Sequence, residues 1–465
     1  MPSVVIVGAG LSGLSLAYRL HRARPDVAIT ILDKSSRAGG NIWTERRDGF
    51  QVEVGPNGFL DAKPSTVQLC RDLGLGEKLI PASEGSRKNR YLFWNGKLRA
   101  LPGSFWSFLG NGILSWRGKI NLLMEKHRRA LANPLADESI HDFAYRRAGR
   151  EIAEIIADAM VTGIHAGDPK LLSVNAAFPR VAQFEKEYGS VMRGFTQVSR
   201  KRRADALARG EEPQPTRMWS FREGLRLLVE ALRDQCGATI IPGVSVKSIR
   251  RESRWIVQAD GQDRWEADAV ALTCHGPEQA AQVADLDASL SETIAAIPYS
   301  RVAVVALGFK TADAPGNLDG FGYIAPQSTH RDLLGVQWCS SIFPDRAPPG
   351  MVLWRALCGG WHRGEMVDWD DARLVAAVRA ELRAAQHVQA EPAFVHIARW
   401  PRAIPQYTLG HLHRVAQVEE RAKQHPGLFL GGNVYRGVAM NDCTEQAGIL
   451  AGRVGEHLSK IDVSR

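Results

Sequence analysis

Three glycines and one aspartate near the start of the chain have the types and the spacing that bind a dinucleotide. Gly8, Gly10 and Gly13 directly follow the apolar run Ser3–Val7. Asp33 closes a second apolar run, twenty residues after Gly13. Glycines in this pattern let the backbone approach a pyrophosphate, and an acid at this spacing accepts a hydrogen bond from a ribose hydroxyl. The pattern predicts a βαβ unit that binds either a nicotinamide or a flavin adenine dinucleotide.

A second set of positions favours the flavin. These positions follow the acid and are Lys34, Arg37, Gly39, Gly40, Gly55, Pro56 and Asn57. A nicotinamide-binding fold usually continues into its next βα unit here, whereas a second backbone-rich loop suits an extended cofactor lying along it. We therefore predict that this loop contacts the cofactor and that Arg37 reaches its phosphates.

The wider motif pattern resembles a known superfamily. Arg-x-Gly-Gly at residues 37–40 and Glu-x-Gly-Pro at residues 53–56 are similar to the flavin-dependent amine oxidase and protoporphyrinogen oxidase superfamily. The segments that resemble the porphyrinogen oxidases within it are residues 57–60, 89–92, 95–98, 163–169, 177–179, 320–322, 341–346 and 426–433. They run in family order, so the resemblance covers nearly the whole chain.

The resemblance implies an α/β fold with a Rossmann-like, discontinuous FAD-binding domain, a mixed-sheet substrate-binding domain and an α-helical insert. We expect the FAD-binding domain to comprise residues 1–85, 217–295 and 395–465. The substrate-binding domain would comprise residues 86–103, 185–216 and 296–394, and the helical insert residues 104–184.

FAD, bound without a covalent link, is the cofactor that the resemblance implies. Its further expected contacts are Val244, Val246, Trp400, Gly432, Asn433, Val438 and Met440. A helix beginning near residue 440 would place its amino terminus at the isoalloxazine and favour the negative charge of reduced flavin. Covalent attachment through Cys443 is the alternative, but a buried structural thiol fits better.

A porphyrinogen loses six electrons on aromatisation, and the family removes them as three hydride transfers to the flavin N5. Dioxygen then reoxidises the flavin and gives hydrogen peroxide. Aromatisation drives the reaction, so we assign no catalytic residue, and we expect His165 to be structural. The expected substrate contacts are Arg90, Ala166, Gly167, Ile324, Gln337, Arg355 and Leu357. Arg90 matches the family arginine that pairs with a substrate propionate.

Arg355 is inferred from strand alternation and not from the resemblance. In a strand over residues 351–357, Arg355 shares a face with Leu357, so both line the pocket if one does. Together with Gln337, Arg355 would make a polar wall suited to coproporphyrinogen III, which has four propionates where protoporphyrinogen IX has two. The alternative is that Arg355 points to solvent from an edge strand.

Three enzymatic interpretations remain. Protoporphyrinogen IX oxidation in heme biosynthesis is favoured, and coproporphyrinogen III oxidation is the alternative. A flavin amine oxidase or carotenoid desaturase is disfavoured, because Asn433 follows Gly432 where amine oxidases carry an acid. A flavin scaffold without turnover has little support, since no motif looks decayed. The implied partners are a porphyrinogen, dioxygen or another electron acceptor, the next heme-pathway enzyme and a second copy of the chain.

Composition sets the remaining expectations. With 45% hydrophobic and 23% charged residues in 465, the chain is typical of a soluble globular protein of two or three domains. Scattered cysteines and an immediate first strand favour the cytoplasm. The net charge of +9 is modest. The dense basic cluster at residues 200–203 lies in a polar stretch, residues 193–215, that we expect to be a loop or a frayed helix, so we expect no nucleic-acid partner. An aromatic segment at residues 105–116, followed by Arg117 and Lys119, fits either a membrane interface or a helix packed on the domain's own core, and the family resemblance favours peripheral membrane contact.

Overall fold

The computed structural model describes residues 1–103, 105–130, 137–210, 212–261, 263–315 and 319–464. The strands are β1 (Ser3–Val7), β2 (Ala28–Asp33), β3 (Thr44–Arg47), β4 (Phe50–Glu53), β5 (Phe59–Leu60), β6 (Leu79–Pro81), β7 (Arg90–Trp94), β8 (Lys97–Ala100), β9 (Met218–Phe221), β10 (Thr239–Pro242), β11 (Val246–Arg251), β12 (Trp255–Ala259), β13 (Arg264–Ala267), β14 (Ala269–Leu272), β15 (Tyr299–Lys310), β16 (Gly322–Ile324), β17 (Leu333–Trp338), β18 (Met351–Gly359), β19 (Phe394–Pro405) and β20 (Leu428–Leu430).

The α-helices are α1 (Leu11–Ala23), α2 (Ser65–Asp72), α3 (Glu84–Lys88), α4 (Phe105–Gly110), α5 (Trp116–Leu123), α6 (Ile140–Ala148), α7 (Asp158–His165), α8 (Val174–Ala177), α9 (Pro179–Tyr188), α10 (Val191–Ala208), α11 (Arg226–Gln235), α12 (Gly276–Val283), α13 (Ala288–Ala295), α14 (Cys339–Ile342), α15 (Asp371–Gln386), α16 (His411–Lys423) and α17 (Met440–Ser464). A π-helix spans Ile152–Ala157, and 3-10 turns lie at Gly76–Lys78, Met124–His127, Thr311–Asp313, Gln327–Thr329 and Gly364–Asp368.

A parallel five-stranded sheet, in the order β10-β2-β1-β14-β20, carries the predicted dinucleotide unit. Its strands are short apolar runs because both faces are covered. One face packs on α1, α11 and α17, with Leu14, Leu228 and Val454 in a common core. The other face packs against the antiparallel β11-β12-β13 sheet and α13. The strands come from three separate parts of the chain, which confirms the predicted discontinuous Rossmann-like fold.

A seven-stranded mixed sheet, in the order β19-β15-β18-β17-β16-β7-β8, forms the second layer. The β16-β7 pair is parallel and the other pairs are antiparallel. One face packs on α15, with Trp354 and Leu374 in the same core. On the opposite face, Leu353 packs against Val52 of β4. Because β18 lies inside the sheet, the alternative that Arg355 points to solvent from an edge strand is wrong.

The segment expected to be a loop or frayed helix at residues 193–215 is instead mostly the helix α10. Its amino terminus explains the difference, because the Ser190 Oγ accepts a hydrogen bond from the Arg193 N–H at 3.2 Å. The buried Glu125 carboxylate accepts the Val191 N–H at 3.0 Å, which places negative charge at the helix amino terminus. This helix packs on α9 and on the turn at Met124–His127. Residues 185–216 therefore lie with the helical elements, while the domain boundaries stay predictions.

The predicted membrane-contacting segment is partly helical. The side chains of Phe105 and Trp106 lie outside the described residues. Trp116 on α5 is 65% exposed, whereas Lys119 is 5% exposed and donates to the Leu109 carbonyl at 2.7 Å. Lys119 is thus not the surface cation that the sequence suggested. Among the described residues, no helix is both long enough and apolar enough to span a membrane.

Candidate active site

The two glycine-rich loops lie against each other at the carboxyl end of β1. The Gly39 N–H donates to the Ala9 carbonyl at 2.8 Å, and Gly10 and Gly39 form an isolated parallel bridge. A Cβ on Gly40 would lie 3.2 Å from the Gly10 Cα. At Gly13 a Cβ would overlap the Gly8 carbonyl oxygen. Glycine is therefore required for this packing, and it leaves bare backbone where a pyrophosphate would lie.

Asp33 and Lys34 end β2 beside these loops. The Asp33 carboxylate accepts the Ala9 N–H at 2.6 Å and the Ser35 N–H at 2.7 Å, so its position is fixed by backbone. The Lys34 ammonium pairs with Glu278 at 2.6 Å. Burial raises the Glu278 pKa, but hydrogen bonds and charges from His275 and Lys34 outweigh it and hold the pKa at about 2. Lys34 is thus engaged by a carboxylate at the edge of the predicted cofactor site.

Arg37 lies across its own loop. Its guanidinium carbon is 4.3 Å from the Trp43 ring centroid, and its Nη1 makes long hydrogen bonds of 3.4 and 3.3 Å to the Ala38 and Gly40 carbonyls. The Arg226 guanidinium lies 4.2 Å from the same Trp43 ring. This arrangement holds positive charge beside the glycines, as phosphate contact requires.

Val244 and Val246, two of the predicted FAD contacts, lie next to β2. The Val244 N–H donates to the Asp33 carbonyl at 2.9 Å, so this backbone donor is already occupied. Val246 is buried and is paired with Ala259 across the β11-β12 sheet. Both residues pack in the core that covers this face of the parallel sheet.

Gly55 continues the path of backbone from the glycine loops toward the seven-stranded sheet. A Cβ on Gly55 would overlap the Asn41 carbonyl oxygen, so glycine is needed for this approach. The Trp400 Nε1 donates to the Val54 carbonyl at 2.7 Å, and the Arg355 Nη2 donates to the Gly55 carbonyl at 2.7 Å. Both side chains come from the seven-stranded sheet, so this turn joins the two layers.

The predicted FAD contacts at residues 432–440 surround the start of α17. Gly432 has φ +99°, a conformation that favours glycine. The Asn433 carbonyl accepts a hydrogen bond from the Tyr407 hydroxyl. Val438 is half-buried and Met440 is the first residue of the helix, as predicted. The Asp442 carboxylate accepts the Ala439 N–H at 3.3 Å, as expected at a helix amino terminus, which favours negative charge.

Four of the predicted substrate contacts share the inner face of the seven-stranded sheet. Gln337 and Arg355 are directly opposite each other in the β17-β18 pair. Two residues before Gln337 in β17, Gly335 is opposite both Ile324 and Leu357 in the sheet. The β16-β7 pair then continues the first row, where the Arg90 backbone is opposite Gly322.

Arg90 is exposed at the end of this row. Its guanidinium carbon lies 4.9 Å from the Phe321 ring centroid, and no carboxylate among the described residues is within ion-pair distance. Partial burial lowers the pKa of Arg90, but an arginine remains charged at any ordinary pH. This is the environment of a cation that is positioned to receive an anion from outside.

The Ala166-Gly167 turn is fixed over the same face. Ala166 has φ +47°, and its carbonyl accepts the Trp361 N–H at 2.9 Å. The Gly167 carbonyl accepts from the Gln327 side chain. Ala166 shares an apolar cluster with the partly buried Leu357 and Trp400. The structure thus brings predicted substrate contacts and a predicted cofactor contact together.

His165, expected to be structural, is 1% exposed. Burial lowers its pKa to about 4, so the imidazole is neutral at physiological pH. Its carbonyl accepts from the Gln406 Nε2 at 2.8 Å, so the residue also helps to fix the turn.

The sequence reasoning missed a buried ion pair below the Gly55 turn. The Glu53 and Arg346 side chains are each 1% exposed, and the Arg346 Nη2 lies 4.0 Å from the Glu53 Oε1. Both residues belong to motifs that carried the family resemblance, and this was the available signal. Gln327 and Gln406, which fix the 165–167 turn, gave no comparable signal.

Comparisons with known proteins agree with a flavin-binding site of this kind. The family described as "Flavin containing amine oxidoreductase" matches residues 11–454. The chloroplastic protoporphyrinogen oxidase 1 of Arabidopsis thaliana is 30% identical, over 98% of this chain and 88% of that protein. The coproporphyrinogen III oxidase of Bacillus subtilis is 28% identical, over 95% of this chain and 96% of that protein.

A solved structure from Exiguobacterium sp. 255-15, provisionally named a protoporphyrinogen oxidase, superposes with a TM-score of 0.83. Its sequence is 26% identical, and the match covers 98% of this chain and 99% of that one. The chain therefore belongs to the flavin-containing amine oxidoreductase family, and the sequence resemblance is confirmed. Its cofactor is FAD, bound non-covalently as is usual in the family. The two bare glycine loops, the fixed Asp33 carboxylate and the start of α17 fit that cofactor.

Proposed function

We propose that the chain oxidises protoporphyrinogen IX to protoporphyrin IX, with dioxygen as the electron acceptor. The observation that carries the proposal is Arg90, an unpaired cation among the described residues, on the sheet face that also holds Ile324 and Leu357. Propionate groups on an apolar ring would use this combination of charge and apolar wall. Relatives that are 30% identical to this chain and are named protoporphyrinogen oxidase support the choice of substrate.

The residues of this chain would bind and orient the substrate. Bound FAD supplies the acceptor for the hydrogen and electron pair that leave a bridge carbon. Arg90 would fix one edge of the macrocycle through a carboxylate, and Ile324 and Leu357 would contact its face. The turn at Ala166 and Gly167, fixed by Trp361 and Gln327, would hold the bridge carbon in place and exclude water.

Coproporphyrinogen III oxidation is the second candidate. Gln337 adds a polar side chain to the same row as Arg90, and its buried Oε1 has no hydrogen-bond partner among the described residues. A wall of this kind would tolerate a substrate with more carboxylates. The prediction that Arg355 itself contacts a propionate would require the substrate to reach a guanidinium that is 2% exposed.

Porphyrin fluorescence separates the candidates. Purified holoprotein is mixed in air with each porphyrinogen, and porphyrin and hydrogen peroxide are measured together. We expect faster turnover of protoporphyrinogen, with peroxide formed in proportion. Preference for coproporphyrinogen would select the second candidate. If neither porphyrinogen is oxidised although FAD is bound, amine oxidation becomes the hypothesis to test.

Arg90→Gln tests the substrate contact. A charge-assisted bond is worth about 1.5–3 kcal/mol, so the KM should rise by roughly tenfold to a hundredfold while kcat changes little. Arg90→Lys should recover part of the loss. An unchanged KM in Arg90→Gln would remove Arg90 from the site.

We also propose peripheral contact between α5 and a membrane surface. Trp116, Ile120 and Leu123 are 65%, 58% and 38% exposed, and their spacing places them on one side of the helix. The test is cosedimentation with anionic vesicles, comparing the unaltered chain with Trp116→Ser/Ile120→Ser. Equal binding by both would remove the proposal. A cytoplasmic location remains an expectation from the scattered cysteines and the immediate first strand. A second copy of the chain and a handover to the next heme-pathway enzyme remain expectations from the family resemblance.

A further inference from the structure

Arg355 is a buried guanidinium with most of its hydrogen bonds unmade. It is 2% exposed and lies within the seven-stranded sheet. Its Nη2 donates to the Gly55 carbonyl at 2.7 Å, while its Nε and Nη1 have no partner among the described residues. A charged group this deeply buried is normally paired and fully hydrogen-bonded. The missing partner is therefore informative.

The charged groups around Arg355 do not pair directly with it. Glu53 is the nearby buried carboxylate, and Arg346 lies 4.0 Å from its Oε1. The Cys339 thiol interacts electrostatically with Arg355, but burial raises the pKa of this thiol, so it supplies no negative charge at neutral pH. Glu53 interacts with both Arg355 and Arg346, and Arg346 also interacts with Asp345. No carboxylate among the described residues is hydrogen-bonded to Arg355, so its positive charge has no direct partner. Gln337, opposite Arg355 in the sheet, contributes an unpartnered oxygen but no charge.

The position of this unpaired charge points to the cofactor. The Gly8–Gly13 turn, the Gly39-Gly40 loop and Gly55 form a continuous path of close backbone contacts, and Arg355 is hydrogen-bonded to the last of them. We propose that Arg355 tunes the bound flavin, its guanidinium supplying the positive charge that stabilises the reduced, negatively charged ring system. The proposal rests on the proposed path of FAD along these glycines. A fixed charge in a site shielded from water acts strongly and needs no reorganisation during reduction.

The test compares Arg355→Gln and Arg355→Met with Arg355→Lys, in holoprotein without any porphyrinogen. The two readouts are the two-electron midpoint potential of the flavin and the Kd of sulfite. Sulfite adds to oxidised flavin and leaves a negative charge on the ring, so its affinity reports the local positive charge.

Loss of the charge should raise the Kd of sulfite at least about tenfold in Arg355→Gln and in Arg355→Met. A tenfold change in the reduction equilibrium corresponds to a potential lower by about 30 mV for a two-electron couple. Arg355→Lys should stay within about threefold, because the charge is kept. Arg264→Gln is the control, since it removes an exposed arginine that pairs with Glu266 on β13 and should leave both readouts unchanged.

Several results would overturn the proposal. Unchanged potential and sulfite affinity in Arg355→Gln, with a selectively raised KM for coproporphyrinogen, would make Arg355 a substrate contact. Equal losses in all three Arg355 variants would make its role structural. Because neither readout uses a porphyrinogen, failure of the proposed reaction would be seen separately from failure of this inference.

Discussion

Glu53→Gln should destabilise the chain through the buried charges below the Gly55 turn. The Glu53 Oε2 accepts from the Thr44 hydroxyl and the Oε1 accepts from the Leu225 N–H, each at 2.9 Å. Glutamine offers one acceptor oxygen, so its NH₂ group would face one of these two donors. Burial raises the pKa of Glu53, and Arg346 and Arg355 counteract this effect; the substitution would remove the carboxylate that interacts with both of them.

The magnitude follows from these contacts. Breaking a buried pair by removing one partner costs about 3–5 kcal/mol. An unfolding entropy of about 2.1 cal/mol/K per residue gives roughly 1 kcal/mol/K for 465 residues, so the Tm should fall by about 3–5 °C. Thermal unfolding followed by circular dichroism, together with the FAD content of the purified protein, measures both consequences.

An exposed ion pair provides the matched control. Glu266 pairs with Arg264 at 2.9 Å, and its side chain is 43% exposed, so Glu266→Gln should change the free energy of unfolding by less than about 1 kcal/mol. In the double variant Glu53→Gln/Arg346→Met, part of the stability should return, because one unpaired cation is removed. If Glu53→Gln matched Glu266→Gln in Tm, the reasoning about the buried charges would be wrong.

Two further outcomes are expected. Gly55→Ala should lose FAD, because the new Cβ would overlap the Asn41 carbonyl oxygen. The control Gly103→Ala should keep the cofactor, because its new Cβ would meet nothing within 4 Å. Flavin absorbance per chain measures the FAD content of both variants. Burial lowers the pKa of His165 and of His411 to about 4, so the unfolded chain binds protons first on acidification. The contribution of these two histidines to the free energy of unfolding should be fully present above about pH 6.5. It should be lost as the pH falls toward 4, by up to about 3 kcal/mol per histidine. Denaturation at several pH values should show a smaller fall in His165→Phe, and an equal fall would contradict this account.

The FAD-binding fold could be predicted from the sequence because its signals are local. The run at β1, the glycines after it and the acid at Asp33 fix a strand, a turn and a second strand within 33 residues. Strand alternation likewise placed Arg355 and Leu357 on one face, since a two-residue period needs no knowledge of neighbours.

The remaining features depend on contacts between distant segments. The amino terminus of α10 is stabilised by Glu125, which lies 66 residues before Val191. A local sequence pattern cannot predict a cap from so distant a residue. The partner of Lys34 is Glu278, from a different part of the chain. β18 is an inner strand because it pairs with β17 on one side and with the more distant β15 on the other. The exposure of Arg355 therefore could not be predicted from the sequence of its own strand.

The three-part origin of the parallel sheet has a consequence for synthesis of the protein. β1 and β2 leave the ribosome long before β20 and before the helix α17 that packs on α1. At about 5–20 residues per second, the first glycine turn exists for roughly 20–90 seconds before its sheet can close. Cofactor loading is therefore expected only after β20 has been made. Chains that stop short of residue 428 would expose the apolar edge of β14 to any other strand nearby.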